Sequence, residues 1–315
     1  MRLVTPLLLL SLLLAPAREA GAGDRGHKVM PLWDFYNSTL SHAKYIDLTH
    51  AMTPGGPIGE GFSDFRVGPA SAGVAIPGVI DKGELFTYEK LGVAITAYEL
   101  PMDHIGTQFG PPAHENDHGA TISDIPPTVS LRPLVVVNVA PKVALDPGYQ
   151  ATVADIKDWE RRHGRIPAGS VVMIRSDWSK KWNDPKRFTT QPFPGVTLAA
   201  LKYLYLERHV LMQGHEPLDT DNTAPEFVGE KWLLKHNFAQ AEGVANLDQV
   251  PESGALITIG FAKFEGGTGG FARYIAIAPA SWPLGETLEQ QSGAPLPTHV
   301  HPLRRGSDGV LRETR

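Results

Sequence analysis

Hydrophobic and polar positions fall into distinct patterns along the 315-residue chain. From residue 153 to 163, Val153, Ile156 and Trp159 recur at helical spacing and the run closes on Gly164, which predicts a helix. Two more helices are predicted over 197–207, with Thr197 as N-cap, and over 225–236. Each helix precedes an apolar, β-prone run, at 170–175, 209–212 and 238–244, and further strands are expected at 93–100, 134–139, 255–261 and 272–277. Strand-only stretches early and helix-strand alternation later point to one α/β domain with a mixed sheet over 23–282, not a fully alternating barrel. Loops are signalled around 54–57, at Gly78, at Pro111-Pro112 and over 266–270. The last of these lacks a Walker lysine and a following helix, so it reads as a hairpin loop and not as a phosphate cradle. Residues 283–315 turn polar, Pro-rich and finally basic, as expected of a mobile tail.

The N-terminus follows a different pattern. Arg2 precedes an apolar run of about a dozen residues, short of the roughly 20 a bilayer-crossing helix needs, and Ala20-Gly21-Ala22 follows. Residues 1–22 therefore read as a cleaved signal peptide, which predicts export, most simply to a periplasm, with no membrane attachment afterwards. The chain carries 29 Lys+Arg against 34 Asp+Glu, a net charge of −5, which excludes a basic nucleic-acid footprint. Cysteine is absent, so disulfides, thiolate zinc sites and cysteine nucleophiles are excluded. A metal would have to be held by His, carboxylate or amide oxygen.

Metal-capable side chains are densest between Met102 and His118, where Asp103, His104, His114, Asp117 and His118 follow the strand predicted at 93–100. A loop at the end of a rigid strand can turn several side chains toward one point, and Gly106 permits a sharp turn; the bland alternative is that these imidazoles bond only to loop carbonyls. His114-Glu115-Asn116-Asp117-His118 matches the H-E-x-x-H pattern of zinc peptidases, which works only on a helix. Pro111-Pro112, Asn116-Asp117 and Gly119 favour a turn instead, which leaves a peptidase as a minor alternative. A second cluster, His215 to Asp221, again puts a His and carboxylates after a predicted strand, and reads equally well as an acidic turn capping the next helix. Glu242 stands out within a small, apolar run, because a buried carboxylate needs a paired charge or a metal. No G-x-S-x-G elbow occurs. Trp33, Phe35, Phe62 and Phe65 suit an aromatic lid over a planar substrate, or equally a core or dimer interface.

The segment from His104 to His114 resembles the signature H-x-G-T-H-x-D-x-P-x-H of the metal-dependent cyclase family, which contains bacterial kynurenine formamidases, isatin hydrolases and trans-dienelactone hydrolases. Asp47-Leu48-Thr49-His50 is similar to that family's opening strand motif, and Glu242 to Leu247 to its late E-x-x-x-N-L element, so the resemblance spans about 45–280. It implies a swivelling β/β/α domain, usually oligomeric, and hydrolysis of a small amide or lactone by metal-activated water. By the same resemblance His104 is the first metal ligand, His114 the proton-transfer residue and Glu242 the late carboxylate ligand. Gln108 replaces the second ligand His, Gly110 replaces an Asp, and Glu230 stands near the position of a further His. The implied site is altered and mononuclear: one Zn²⁺ or Mn²⁺ on His104, Gln108 and Glu242, with Asp103, Asp117, His118, His215 or Glu230 as additional ligands or substrate contacts. The rival is a metal-poor relative that binds a small molecule without hydrolysing it.

Overall fold

The computed structural model describes residues 31–288 and 295–314; the expected signal peptide lies outside them. Seven strands close on themselves in the order Ala255–Phe261, Leu131–Asn138, Val171–Arg175, Met212–His215, Ala239–Glu242, Gln108–Gly110 and Gly270–Ala278, the last pairing back to the first. The second to fifth run parallel, and every other pairing in the ring is antiparallel, so the fold is a mixed α/β one built on a closed barrel. Lys44–Asp47 and Glu286–Thr287 extend the sheet outward from Gly270–Ala278. Closure leaves the barrel strands without the free edges that would otherwise invite further pairing.

Strand alternation divides the apolar side chains between two cores. Phe109, Val136, Met173, Met212, Ala241 and Tyr274 fill the barrel interior, while Val172 and Ile174 point outward against Trp159, Leu201, Leu204 and Leu233 of the covering helices. Each of the larger aliphatic and phenyl side chains so buried contributes on the order of 1.5–3 kcal/mol. The helix Val153–His163 forms as its spacing predicts, with a reciprocal capping box between Thr152 and Asp155 at its start and Gly164 at its end. Thr197 caps Leu198–Lys202, and the chain then widens into a π-helical turn over Tyr203–Glu207. There the Tyr205 hydroxyl donates to Ala239 O at 2.7 Å and accepts from Gln213 N at 2.8 Å, tying the turn to two barrel strands.

Several elements differ from the sequence pattern. The strand expected at 209–212 is Met212–His215, because His209 takes a left-handed conformation (φ 53°) and the strand's own Gln213 and His215 are buried polar residues that a hydropathy pattern reads as loop. The helix expected from 225 starts at Val228, after Phe227 in a left-handed turn. Thr96–Glu99 pairs only with Arg66–Pro69, in a separate two-stranded sheet, whereas Gln108–Gly110, within the expected loop, is a barrel strand. The C-terminal segment is not wholly a tail: beyond Glu286–Thr287 it forms the hairpin Leu303–Arg305 with Leu311–Glu313, and Arg305 donates to Ile95 O and Thr96 Oγ1. The loop before Gly270 is the hairpin connection expected of it.

Gly243 needs to be glycine on two counts, since its φ is +60° and a Cβ there would stand 2.5 Å from Gly106 O. Gly243→Ala is expected to cost at least about 2 kcal/mol, read as a lower urea midpoint at unchanged slope; a midpoint equal to that of the unmodified chain would contradict this close backbone approach.

Candidate active site

Two side-chain groups meet on the segments that the sequence singles out. In the first, Asp103 Oδ1 lies 2.7 Å from His104 Nδ1, while Asp103 Oδ2 accepts backbone N–H groups from Thr268 and Gly269, each at 2.8 Å. The Gly266–Gly270 loop thus holds the carboxylate that holds the imidazole. Burial works against the Asp103 anion, but the charge on His104 and these N–H groups outweigh it and keep its pKa below the usual value. His104 Nε2 is buried with no hydrogen-bond partner, and the His104 ring packs against His114 with centroids 4.0 Å apart. Burial and then the neighbouring His114 push His104 down to about 4, against the pull of Asp103. His114, more exposed, is lowered by burial, with Glu115 and Asp103 opposing. Both imidazoles are therefore neutral near pH 7.

The second group lies on one face of two paired strands, in the register Gln108↔Glu242 and Gly110↔Gln240. Gln108 Nε2 donates to Glu242 Oε2 at 2.6 Å and Gln240 Nε2 donates to Glu242 Oε1 at 2.8 Å. Thr220 Oγ1 donates to Gln240 Oε1 at 2.5 Å and accepts from Gln213 Nε2 at 3.0 Å. Burial, followed by repulsion from Glu230 and Asp219, raises the Glu242 pKa well above the ordinary carboxylate range. Burial, with Asp219 beside it, also takes Glu230 to about 8. His215 Nε2 is 3.8 Å from Glu242 Oε1, outside hydrogen-bond range; neither ring nitrogen has a partner, and burial lowers the ring to about 3. Asp221, in the acidic turn, does cap the next helix: its Oδ2 accepts from Gly229 N at 2.7 Å and Glu230 N at 2.9 Å.

The expected ligand set is thereby divided. Gln108 and Glu242 are in contact, with His215 and Glu230 nearby, whereas His104 keeps company with Asp103 and His114, and no hydrogen bond links the groups. Asp117 and His118 are exposed and bond to neither group. His114 ends the short turn Pro112–His114, so His114 and His118 share no helical face, and the peptidase pattern fails for want of a helix. Three contributors were missed from the sequence. Gln240 carries no signal there, Trp182 lies far along the chain, and His50 belongs to a motif read only as a strand. The His50 and Trp182 rings stack at 4.0 Å and 3°, and burial lowers His50 to about 4. A cleft of about 470 Å³ passes His50, Thr107, Phe261, Phe271 and Arg273.

Comparison with known proteins follows the same residues. The Cyclase family model matches residues 46–222. The chain belongs to the cyclase family. It is 32% identical over 191 residues to isatin hydrolase of Roseibium aggregatum, covering 56% of this chain and 72% of that protein. Among solved structures, isatin hydrolase A of Ralstonia solanacearum superposes with a TM-score of 0.66 at 27% identity, over 82% of this chain and all of that one. These relatives put the chain with the hydrolases of the cyclase family. A potential metal-dependent hydrolase with cyclase activity matches at 18% identity and a TM-score of 0.56, over 75% of this chain and 98% of that one, a likeness of fold.

The donor set of this cyclase-family chain does not fit a divalent cation. Such an ion needs several oxygen or nitrogen lone pairs converging on it. Here Gln108 and Gln240 turn N–H groups toward Glu242, so that Gln108 Oε1, though unpartnered, is not the atom on Glu242; Gly110 offers no donor, and among the described residues no three His, Asp or Glu side chains are arranged to hold a metal.

Glu216, fully buried, presents a separate electrostatic test. Burial raises its pKa to about 7, against hydrogen bonds from Ser179 N and Ser176 Oγ, both at 3.0 Å. A raised carboxyl contributes stability that is present below its unfolded pKa and lost as pH climbs through the folded value, here from about 4.5 to 7. Glu216→Gln should therefore leave the melting temperature near pH 5 almost unchanged and raise it by several degrees at pH 8, taking about 2–4 °C per kcal/mol. An equal shift at both pH values would show that Glu216 is not neutral in the fold.

Proposed function

We propose that this chain hydrolyses a small cyclic amide or lactone at the Asp103–His104–His114 group. The observation that carries this reading is the Asp103 to His104 Nδ1 contact at 2.7 Å, with Nε2 left buried and unpartnered beside His114. Asp103 fixes the tautomer that leaves the Nε2 lone pair free, so His104 can hold a water molecule by one hydrogen. His114, neutral, takes the other proton as the water oxygen attacks the carbonyl carbon, and returns it to the leaving nitrogen or oxygen. Asp103 and Glu115 favour the imidazolium that forms in between. The cleft past His50, Phe261 and Phe271 suits a planar ring, although Asp103, His104 and His114 are not among the residues that line it. Isatin, a cyclic amide, is the first substrate to try, by analogy with the relatives named for its hydrolysis. The second reading is a relative that binds such a ring without turnover, and the amide hydrogen bonds at Glu242 favour it.

The test is a panel of isatin, an aryl formamide and an unsaturated lactone, with the loss of substrate followed directly. His114→Ala is expected to lower kcat by about 10²–10⁴, and Asp103→Asn to lower it by at least about tenfold with the fold retained. Because the bases act when neutral and burial depresses both, the acid limb of kcat/KM should lie below the ordinary histidine value of 6.5, with His104 itself protonated only near pH 4; an acid limb at or above 6.5 would contradict this. Tight binding of a panel member with no turnover would replace hydrolysis by the second reading, and unchanged kcat in His114→Ala would remove that residue from its role.

A further inference from the structure

Gly110 and Gln240 face each other across paired strands, and the one explains the other. A Cβ at Gly110 would stand 2.9 Å from Gln240 Cγ, so the space a larger residue would use is filled by the glutamine chain. The orientation of the Gln240 amide is set from behind. The Thr220 hydroxyl accepts from Gln213 and so donates to Gln240 Oε1, which turns the Gln240 N–H toward Glu242. Gln108 supplies the matching N–H on the other oxygen. All five residues are almost wholly buried, where hydrogen bonds are strong and an unpaired carboxyl is costly.

We propose that an amide clamp, made by Gln108 and Gln240 on Glu242, stands where the family resemblance implies a divalent metal, so that this protein carries no resident Zn²⁺ or Mn²⁺. A cation beside Glu242 would find one lone pair left on each oxygen, but two amide N–H groups turned toward it where ligand lone pairs are needed, and Gly110 with no side chain to offer. The clamp does not depend on whether the substrate is an amide or a lactone, or on whether it is turned over.

The experiment uses the full chain purified without chelator. Elemental mass spectrometry should find far less than one zinc or manganese per chain, and neither metal nor EDTA should move the melting temperature. The variant Gln108→His/Gly110→Asp/Gln240→Ala, which restores two donors and clears the space between them, should bind one Mn²⁺ and melt higher in its presence, as a ligand of the native state requires. Near-stoichiometric metal in the unmodified chain that survives dialysis, or an equal rise in its own melting temperature with Zn²⁺ or Mn²⁺, would overturn the proposal. Should the triple variant not fold, Gln108→Leu decides: a lost clamp lowers the melting temperature equally with and without metal, whereas a lost ligand lowers it only where metal is present. Turnover is a separate readout, so its absence would count against hydrolysis and not against the clamp.

Discussion

The Thr107 hydroxyl joins the three stretches from which the site is built. It accepts the His50 N–H at 2.9 Å and donates to Gly243 O at 2.6 Å, so one buried oxygen links residues 57 and 136 positions away. The contact requires backbones to pass unusually close, which they do because Gly243 has no Cβ to strike Gly106 O. Around it, Asn246 Nδ2 donates to Asp47 O at 2.8 Å and Thr49 bridges to Val244. His104 lies three residues before this junction, Gln108 one residue after it and Glu242 beside Gly243, so its geometry is inherited by both side-chain groups. A hydroxyl that donates and accepts at once cannot be replaced by an apolar group without leaving two buried backbone groups unpaired.

Burial explains most of the electrostatics that follow. The inner face of the barrel is apolar, while the outer face carries Gln213, His215, Gln240, Glu242 and Gln108 and is covered by helix and turn instead of water. Desolvation disfavours every charged form there, raising Glu242, Glu230 and Asp219 and lowering His215. With carboxyls inclined to neutrality and imidazoles already neutral, attraction between full charges contributes little. Hydrogen bonds from neutral amides and a hydroxyl then become the stronger device, because they satisfy the oxygens without requiring a buried counter-ion. The Asp103 group follows the opposite rule: less buried and facing backbone N–H groups, its carboxylate keeps its charge and orients a histidine.

Legibility in the sequence followed the same division. Elements whose apolar spacing matched their surroundings were readable, such as Val153–His163 with its cap, Ala255–Phe261 and the hairpin loop after it. Of the three strands carrying the buried polar face, Ala239–Glu242 fell within the expected 238–244, while Gln108–Gly110 read as loop and Met212–His215 as a strand three residues earlier. The pattern that locates strands assumes that polar means exposed, and here polar side chains are buried, several of them bonded to one another as Gln108 and Gln240 are to Glu242. Glu242 was readable as an anomaly, since a carboxylate in an apolar run demands a partner. Its partners were not, because Gln240 gains meaning only from a cross-strand register.

The departures from the family signature are physically interdependent. Gln108 alone would leave one Glu242 oxygen without a donor, and glycine at 110 alone would leave a buried gap between strands. Gln240 answers both, filling the space above Gly110 and supplying the second N–H, but only because Thr220 fixes which end of its amide faces Glu242. A carboxylate at residue 110 and the present Gln240 rotamer exclude each other sterically, so the residues here form one consistent set and not a metal site with two defects. What persists outside the set, the Asp103 carboxylate, the His104 imidazole and the His114 ring against it, needs nothing from Glu242 to hold its geometry, since it is anchored through the Gly266–Gly270 loop. The barrel therefore supports two polar arrangements on one Thr107 junction, each with its own further hydrogen bonds, one that holds a buried acid between amides and one that leaves a base free.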